Sequence, residues 1–230
     1  MTEPVPFTLA GAVAGARGVL PAALSSAAFG MAFGALAGQV GFSFAETALM
    51  SAIVFAGSAQ YPAILAWTFP PAFLPLVLTT FAINARHLLF GAAIRPWLAP
   101  LPKGRAYLSL YFLSDSNWLA AMRAWNNGAT DRAIVLGGGI TMCVGWTAGS
   151  IAGHLFGSAF GDITRYGIDV AVPAFFVALL VGAWRGRADI LPLVVGGAAA
   201  VLAERLFPSG WQILVGSLAG SLAGMLRRAD

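Results

Sequence analysis

Arg86 and His87 lie inside an apolar run, residues 73–94, with Asn84 two positions upstream. A guanidinium at membrane depth costs at least about 2.5–3.5 kcal/mol unless it is paired or solvated, so it asks for a partner or a watery cavity. Its fork of donors matches a carboxylate. The neighbouring imidazole is the side chain that changes charge near neutral pH when unperturbed. Asn84, Arg86 and His87 are therefore candidates for carboxylate binding and proton handling. The competing reading makes Arg86 half of a structural pair with Glu46 or Asp115, or a side chain reaching to an interface. Asp115, with Asn117 two positions on, reads either as that partner and an alternative proton carrier, or as part of a polar interfacial loop. His154 reads as an interface histidine, and Glu204 with Arg205 as a charge pair at a helix end.

A second candidate is Phe55-Ala56-Gly57-Ser58-Ala59-Gln60-Tyr61-Pro62, in the middle of the apolar run 45–67. Pro62 lacks an N–H and its ring clashes one turn back, which predicts a kink or break just before it. Freed backbone groups at membrane depth are tolerated where they face protein or a watery cavity. Gly57, Ser58 and Gln60 then read as substrate-binding positions on a broken helix. The same residues also suit a packing kink, with small side chains admitting a neighbouring helix.

These residues need a membrane bundle to position them. The chain is 59% hydrophobic and 10% charged, against about 25% charged in soluble domains. Apolar runs cover residues 19–37, 45–67, 73–94, 107–122, 133–156, 168–184, 190–206 and 211–226. A span takes about 17–25 residues, so the expected fold is an all-α polytopic membrane protein with seven to eight transmembrane helices. The linkers are short, which predicts a single transporter domain over residues 1–230. Residues 1–17 do not read as a cleavable signal. The one cysteine, Cys143, excludes a disulfide framework or a cysteine metal site, and no cofactor is expected.

The run 107–122 carries Ser114, Asp115, Ser116 and Asn117 at its centre. If all eight runs cross, the basic residues divide almost evenly. If 107–122 is only partly inserted, Arg95, Lys103, Arg105, Arg123, Arg132, Arg185, Arg187, Arg227 and Arg228 share one side, opposed by Arg17, Arg165 and Arg205. That bias favours seven spans with a cytoplasmic C-terminus. A faint match between residues 34–39 and 149–154 allows repeat-like units at about 19–94 and 133–206. With no full crossing between them they would be two inverted three-helix repeats, a plan of secondary transporters. Chance composition is the rival explanation.

Phe55-Ala56-Gly57-Ser58-Ala59-Gln60 followed by Asn84-Ala85-Arg86-His87 resembles the AzlC family of branched-chain amino acid exporters. Residues 29–34 and 169–175 also fall where that family has similar segments. The resemblance implies a bacterial inner-membrane protein exporting leucine, isoleucine, valine and methionine, driven by protons. It also implies a small AzlD-like membrane subunit as partner. The family's Asp-Glu pair in the fourth run is here Asp115-Ser116, so only Asp115 carries over.

A small-solute channel, or a transporter of another amphipathic substrate, is the alternative from the residues. An enzyme finds no support: the chain has no Gly-x-Ser-x-Gly elbow, no histidine-rich cluster and no carboxylate pair of acid–base spacing. The net charge of +4 comes from loop arginines and reads as topology rather than nucleic-acid binding.

Overall fold

The computed structural model describes residues 5–157, 177, 180, 181, 184, 186–207 and 211–226. The chain is an all-α membrane protein, with no strand among the described residues. In chain order the helices are α1 (Leu9–Gln39), α2 (Phe44–Leu49), α3 (Gly57–Leu65), α4 (Phe73–Asn84), α5 (Arg86–Leu98), α6 (Lys103–Tyr111), α7 (Asp115–Asn126), α8 (Ala133–Gly157), α9 (Ile190–Leu206) and α10 (Trp211–Met225). A π-helical turn, Met50–Val54, continues α2. Leu9–Gln39, Phe73–Leu98 and Ala133–Gly157 are long and apolar enough to cross a membrane. Most of the expected run 168–184 lies outside the described residues, as does the segment 169–175.

The chain forms two compact units, Met1–Gly57 with Ala85–Asp162, and Ser58–Asn84 with Ile163–Asp230. The spine of the first is α1 against α8. The backbone carbonyls of Ala23, Ala27 and Met31 sit where a Cβ on Gly145, Gly149 and Gly153 would go, and the Cα and Cβ of Ala35 lie against Gly157. Steps of four on both helices keep one register, the small-residue ridge that lets helix backbones touch. Gly30 and Gly34 return the contact against the carbonyls of Trp146 and Ser150.

This register rises together along both helices, so α1 and α8 are parallel. The matched segments 34–39 and 149–154 thus lie side by side in one direction. The inverted relation allowed for them does not hold, because their shared glycines serve one parallel seam.

Both helices begin at the same end, where Asp131 ties them together. Its carboxylate accepts from the Thr8 N–H and hydroxyl, and from the Ala133 N–H at 3.0 Å. A negative charge there suits two helix N-termini. Hydrogen bonds from Thr8 and Ala133 hold the Asp131 carboxyl below its ordinary range, although desolvation, the largest single influence, pulls the other way.

The run 107–122 is a helical hairpin rather than one helix. At its start, Arg105 lies over the Phe7 ring, 5.1 Å from the centroid. At its end, Trp125 stacks on Trp97, whose carbonyl accepts from Arg132 Nε at 2.7 Å. Between these points α6 runs inward and α7 returns. The Phe112 carbonyl lies against Gly139, and Asn117 Nδ2 donates to the Val135 carbonyl at 3.0 Å. The hairpin therefore enters and leaves at the end where α1 and α8 begin.

That end gathers Arg105 and Arg132, and Arg17 belongs to the N-terminal half of the helix that starts there. The seven-span count set Arg17 against this group. Arg17 lies nearer this group because α1 starts at the same end as α8. The α2 helix starts at the other end of α8, where Thr47 Oγ1 and His154 Nδ1 are 3.0 Å apart. It stops at Phe55, packed on Val19, Ala23 and Met142. Then α5 resumes inside the bundle and reaches the basic end at Trp97.

In the second unit, α9 and α10 form an antiparallel pair through Gly196, Gly216 and Gly220. A small apolar cleft there is lined by Pro62, Ala63, Ala66, Pro75, Leu76, Thr79, Thr80 and Ile213.

Candidate functional site

The break expected near Pro62 falls earlier. Ser43 and Glu46 form a reciprocal capping box that starts α2. The helix then widens into the π-turn and ends at Phe55, which is left-handed at φ 40°, ψ 46°. This conformation is uncommon outside glycine and costs of order 1–3 kcal/mol. Pro62 lies inside α3 instead, buried, and the helix continues past it with Ala66 N–H donating to the Pro62 carbonyl. A proline at the sixth position of a helix removes one bond to the first turn, which a short helix beginning at Gly57 accommodates. π-turns are frequent at functional sites.

Gly57 opens α3 beside Trp146 of α8. A Cβ at Gly57 would lie 2.6 Å from the indole ring, so any larger residue must push the ring or the chain aside. Ser58 is half-buried and Gln60 fully buried. Both belong to the second unit, as does Asn84, the last residue of α4.

Arg86 is the first residue of α5 and Asp115 the first of α7. Arg86 Nη2 and Asp115 Oδ2 form an ion pair at 3.2 Å, with the side chains 32% and 49% exposed. The two helices run side by side in the same direction. Phe90 stacks on Trp118 with 4.6 Å between centroids, and Trp97 stacks on Trp125 at 5.7 Å. The N-terminus of α7 and a guanidinium therefore meet, and each favours an anion. Asp115 is the anion in place. Its helix is capped by Ser114, whose Oγ accepts from the Asn117 N–H. His87 follows on α5 with its ring edge-on to Phe90, 5.7 Å away.

The pairing of Arg86 with Asp115 was one of two partners open from the sequence. Glu46, the other, is committed to Ser43, whose N–H and hydroxyl both donate to its carboxylate at 2.7 Å. The sequence did not single out Tyr111. Its hydroxyl donates to the Ile53 carbonyl at 3.1 Å, with the Ala52 carbonyl at 3.5 Å. A tyrosine three residues before a polar cluster was the available signal. The hairpin tip thus touches the end of the π-turn through Tyr111 and the start of α5 through Asp115.

Residues 21–160 match the family described as AzlC protein. Among similar proteins, the inner membrane protein YgaZ of Escherichia coli is 25% identical over 99% of this chain and 96% of its own length. The branched-chain amino acid transport protein AzlC of Bacillus subtilis is 25% identical over 83% of this chain and 74% of its own. An uncharacterized membrane protein of Archaeoglobus fulgidus is 28% identical over 83% of each. No solved structure matches.

Proposed function

Since the chain belongs to the AzlC protein family, a family of membrane transport proteins, we propose that it exports branched-chain amino acids by exchange against protons. The observation that carries this reading is the Arg86–Asp115 pair at the N-terminus of α7. An amino acid zwitterion inserts between the two charges, its carboxylate on Arg86 and its ammonium on Asp115. Each protein charge exchanges one partner for another of the same sign, so entry leaves no unpaired ion.

This arrangement favours Asp115 over His87 as the coupling group. A proton on Asp115 removes the partner of the ammonium, so proton and substrate compete for one carboxylate. Competition is what antiport requires. A proton on His87, beside Arg86, instead favours the substrate carboxylate and its retention. Gly57, Ser58, Gln60 and Asn84 remain proposed substrate-binding positions. Leucine, isoleucine, valine and methionine are the proposed cargo, in line with the name of the Bacillus subtilis relative.

The basic end of the first unit, with Arg95, Lys103, Arg105, Arg123 and Arg132, is proposed to face the cytoplasm of a bacterial inner membrane. Arg227 and Arg228 argue for a cytoplasmic C-terminus on the same ground. An AzlD-like small membrane subunit is the proposed partner, alongside membrane lipid.

The test is efflux of leucine from dipeptide-loaded cells, with and without this chain and its partner, at two external pH values. Saturable efflux that depends on the pH gradient is expected. A channel gives flux that neither saturates nor follows pH. No acceleration over empty cells contradicts transport.

A further inference from the structure

We propose that Tyr111 is a positioning residue for this exchange: its hydroxyl latches the tip of the α6–α7 hairpin to the broken end of the π-turn. The proposal deepens the transport reading above and rests on it for the role in exchange. The latch itself stands on geometry alone.

The Ile53 and Ala52 carbonyls belong to the turn Met50–Val54, just before the chain leaves helical geometry at Phe55. A continuing helix would offer them backbone N–H groups one turn on. Here a donor comes from outside the segment, the Tyr111 phenol at 3.1 Å from the Ile53 oxygen. The 3.5 Å approach to Ala52 is marginal. Tyr111 ends α6, and its ring meets that of Phe112 edge-on at 4.9 Å.

Four residues later Asp115 holds Arg86. A tip this short moves as one piece. Its root is fixed, because Asn117 is bonded to the Val135 carbonyl and Leu113 is packed with Val135, Ile94 and Trp97. When substrate or a proton takes Asp115 from Arg86, the tip can turn about that anchor, carrying Tyr111 on its far side with it. The Tyr111–Ile53 bond transmits that shift to the broken helix. Occupancy of the ion pair is thereby linked to the conformation of residues 50–57.

The test is Tyr111→Phe, which keeps the ring and removes only the donor. Amide hydrogen exchange of residues 50–57 in the purified full chain, without substrate, should quicken roughly five- to tenfold, the scale of one neutral hydrogen bond. Exchange along α1 and α8 should stay as in the wild type. Leucine efflux should lose kcat by a similar factor with KM little changed. Asp115→Asn, which frees the other side of the tip, should quicken exchange in the same segment. Wild-type exchange at residues 50–57 in both variants overturns the latch, whatever the cargo. Faster exchange with unaltered efflux of a transported amino acid keeps the bond but overturns its role in exchange.

Discussion

The α1–α8 seam and the layer around the hairpin tip belong to the same unit and are built on opposite terms. Along the seam, backbone meets backbone, and the register is set by glycines whose missing side chains make the room. Around the tip, the Arg86–Asp115 ion pair and the Tyr111 hydroxyl are partly exposed polar contacts, beside a left-handed phenylalanine. Close-packed surfaces have one arrangement and transmit strain. Exposed polar contacts exchange partners at small cost. The seam is the close-packed part, and the ion pair and the Tyr111 bond are the contacts that can exchange partners.

The largest effect should come from forcing a side chain into the seam. Gly34→Val or Gly149→Val places carbon inside the van der Waals radius of a facing backbone oxygen. Overpacking with no flexible neighbour should cost about 3 kcal/mol or more. The protein should disappear from the membrane fraction, as seen by immunoblot and size-exclusion chromatography. Normal accumulation of both variants would break the contrast.

Next comes the polar layer, where function should fall while the fold survives. Arg86→Leu should reduce leucine efflux by at least about tenfold, the scale of one charge-assisted hydrogen bond. Its membrane level should match the wild type. Gly57→Val should also lose transport with the protein retained, because the new methyl groups meet the Trp146 ring rather than backbone. Loss of the protein itself in either variant would assign these residues to the scaffold.

A smaller effect is expected where the seam begins. Asp131→Asn weakens the tie between the starts of α1 and α8, by about 1 kcal/mol on the scale of helix caps. Because the folded carboxyl titrates below its unfolded value, its stabilisation is present above an unfolded pKa near 3.9 and is lost as pH falls through the folded one. Thermal unfolding against pH should show this acid limb in the wild type and a flatter one in the variant. The smallest effect belongs to Gly18→Ala, where a Cβ would meet nothing within 4 Å. It should be neutral or stabilise by up to about 1 kcal/mol, as alanine does in a helix.

The all-α membrane fold was legible in composition and in the apolar runs, because a bilayer imposes length and hydropathy on each span. The broken helix at 55–57 was legible in Gly57 and its small neighbours, but the strained residue, Phe55, was not. Nothing in a phenylalanine announces φ 40°. It packs on Val19, Ala23 and Met142, contacts that only the fold brings to it. The parallel seam was hidden for a related reason. Glycines spaced by four show that backbones will touch, but not which helices or in which direction. Arg86 called for an anion by its cost alone. Only the fold could choose Asp115, by starting α7 beside Arg86.

The most direct measurement on the proposed exchange is leucine binding to the purified protein as a function of pH, wild type beside Asp115→Asn. If the zwitterion inserts between Arg86 and Asp115, wild-type affinity should weaken as acidification puts a proton on Asp115. The variant should bind about two- to fivefold more weakly at neutral pH, the worth of a partly exposed ion pair, and should be insensitive to pH over the same range. A wild-type affinity indifferent to pH, or an Asp115→Asn protein with wild-type affinity and pH dependence, contradicts it.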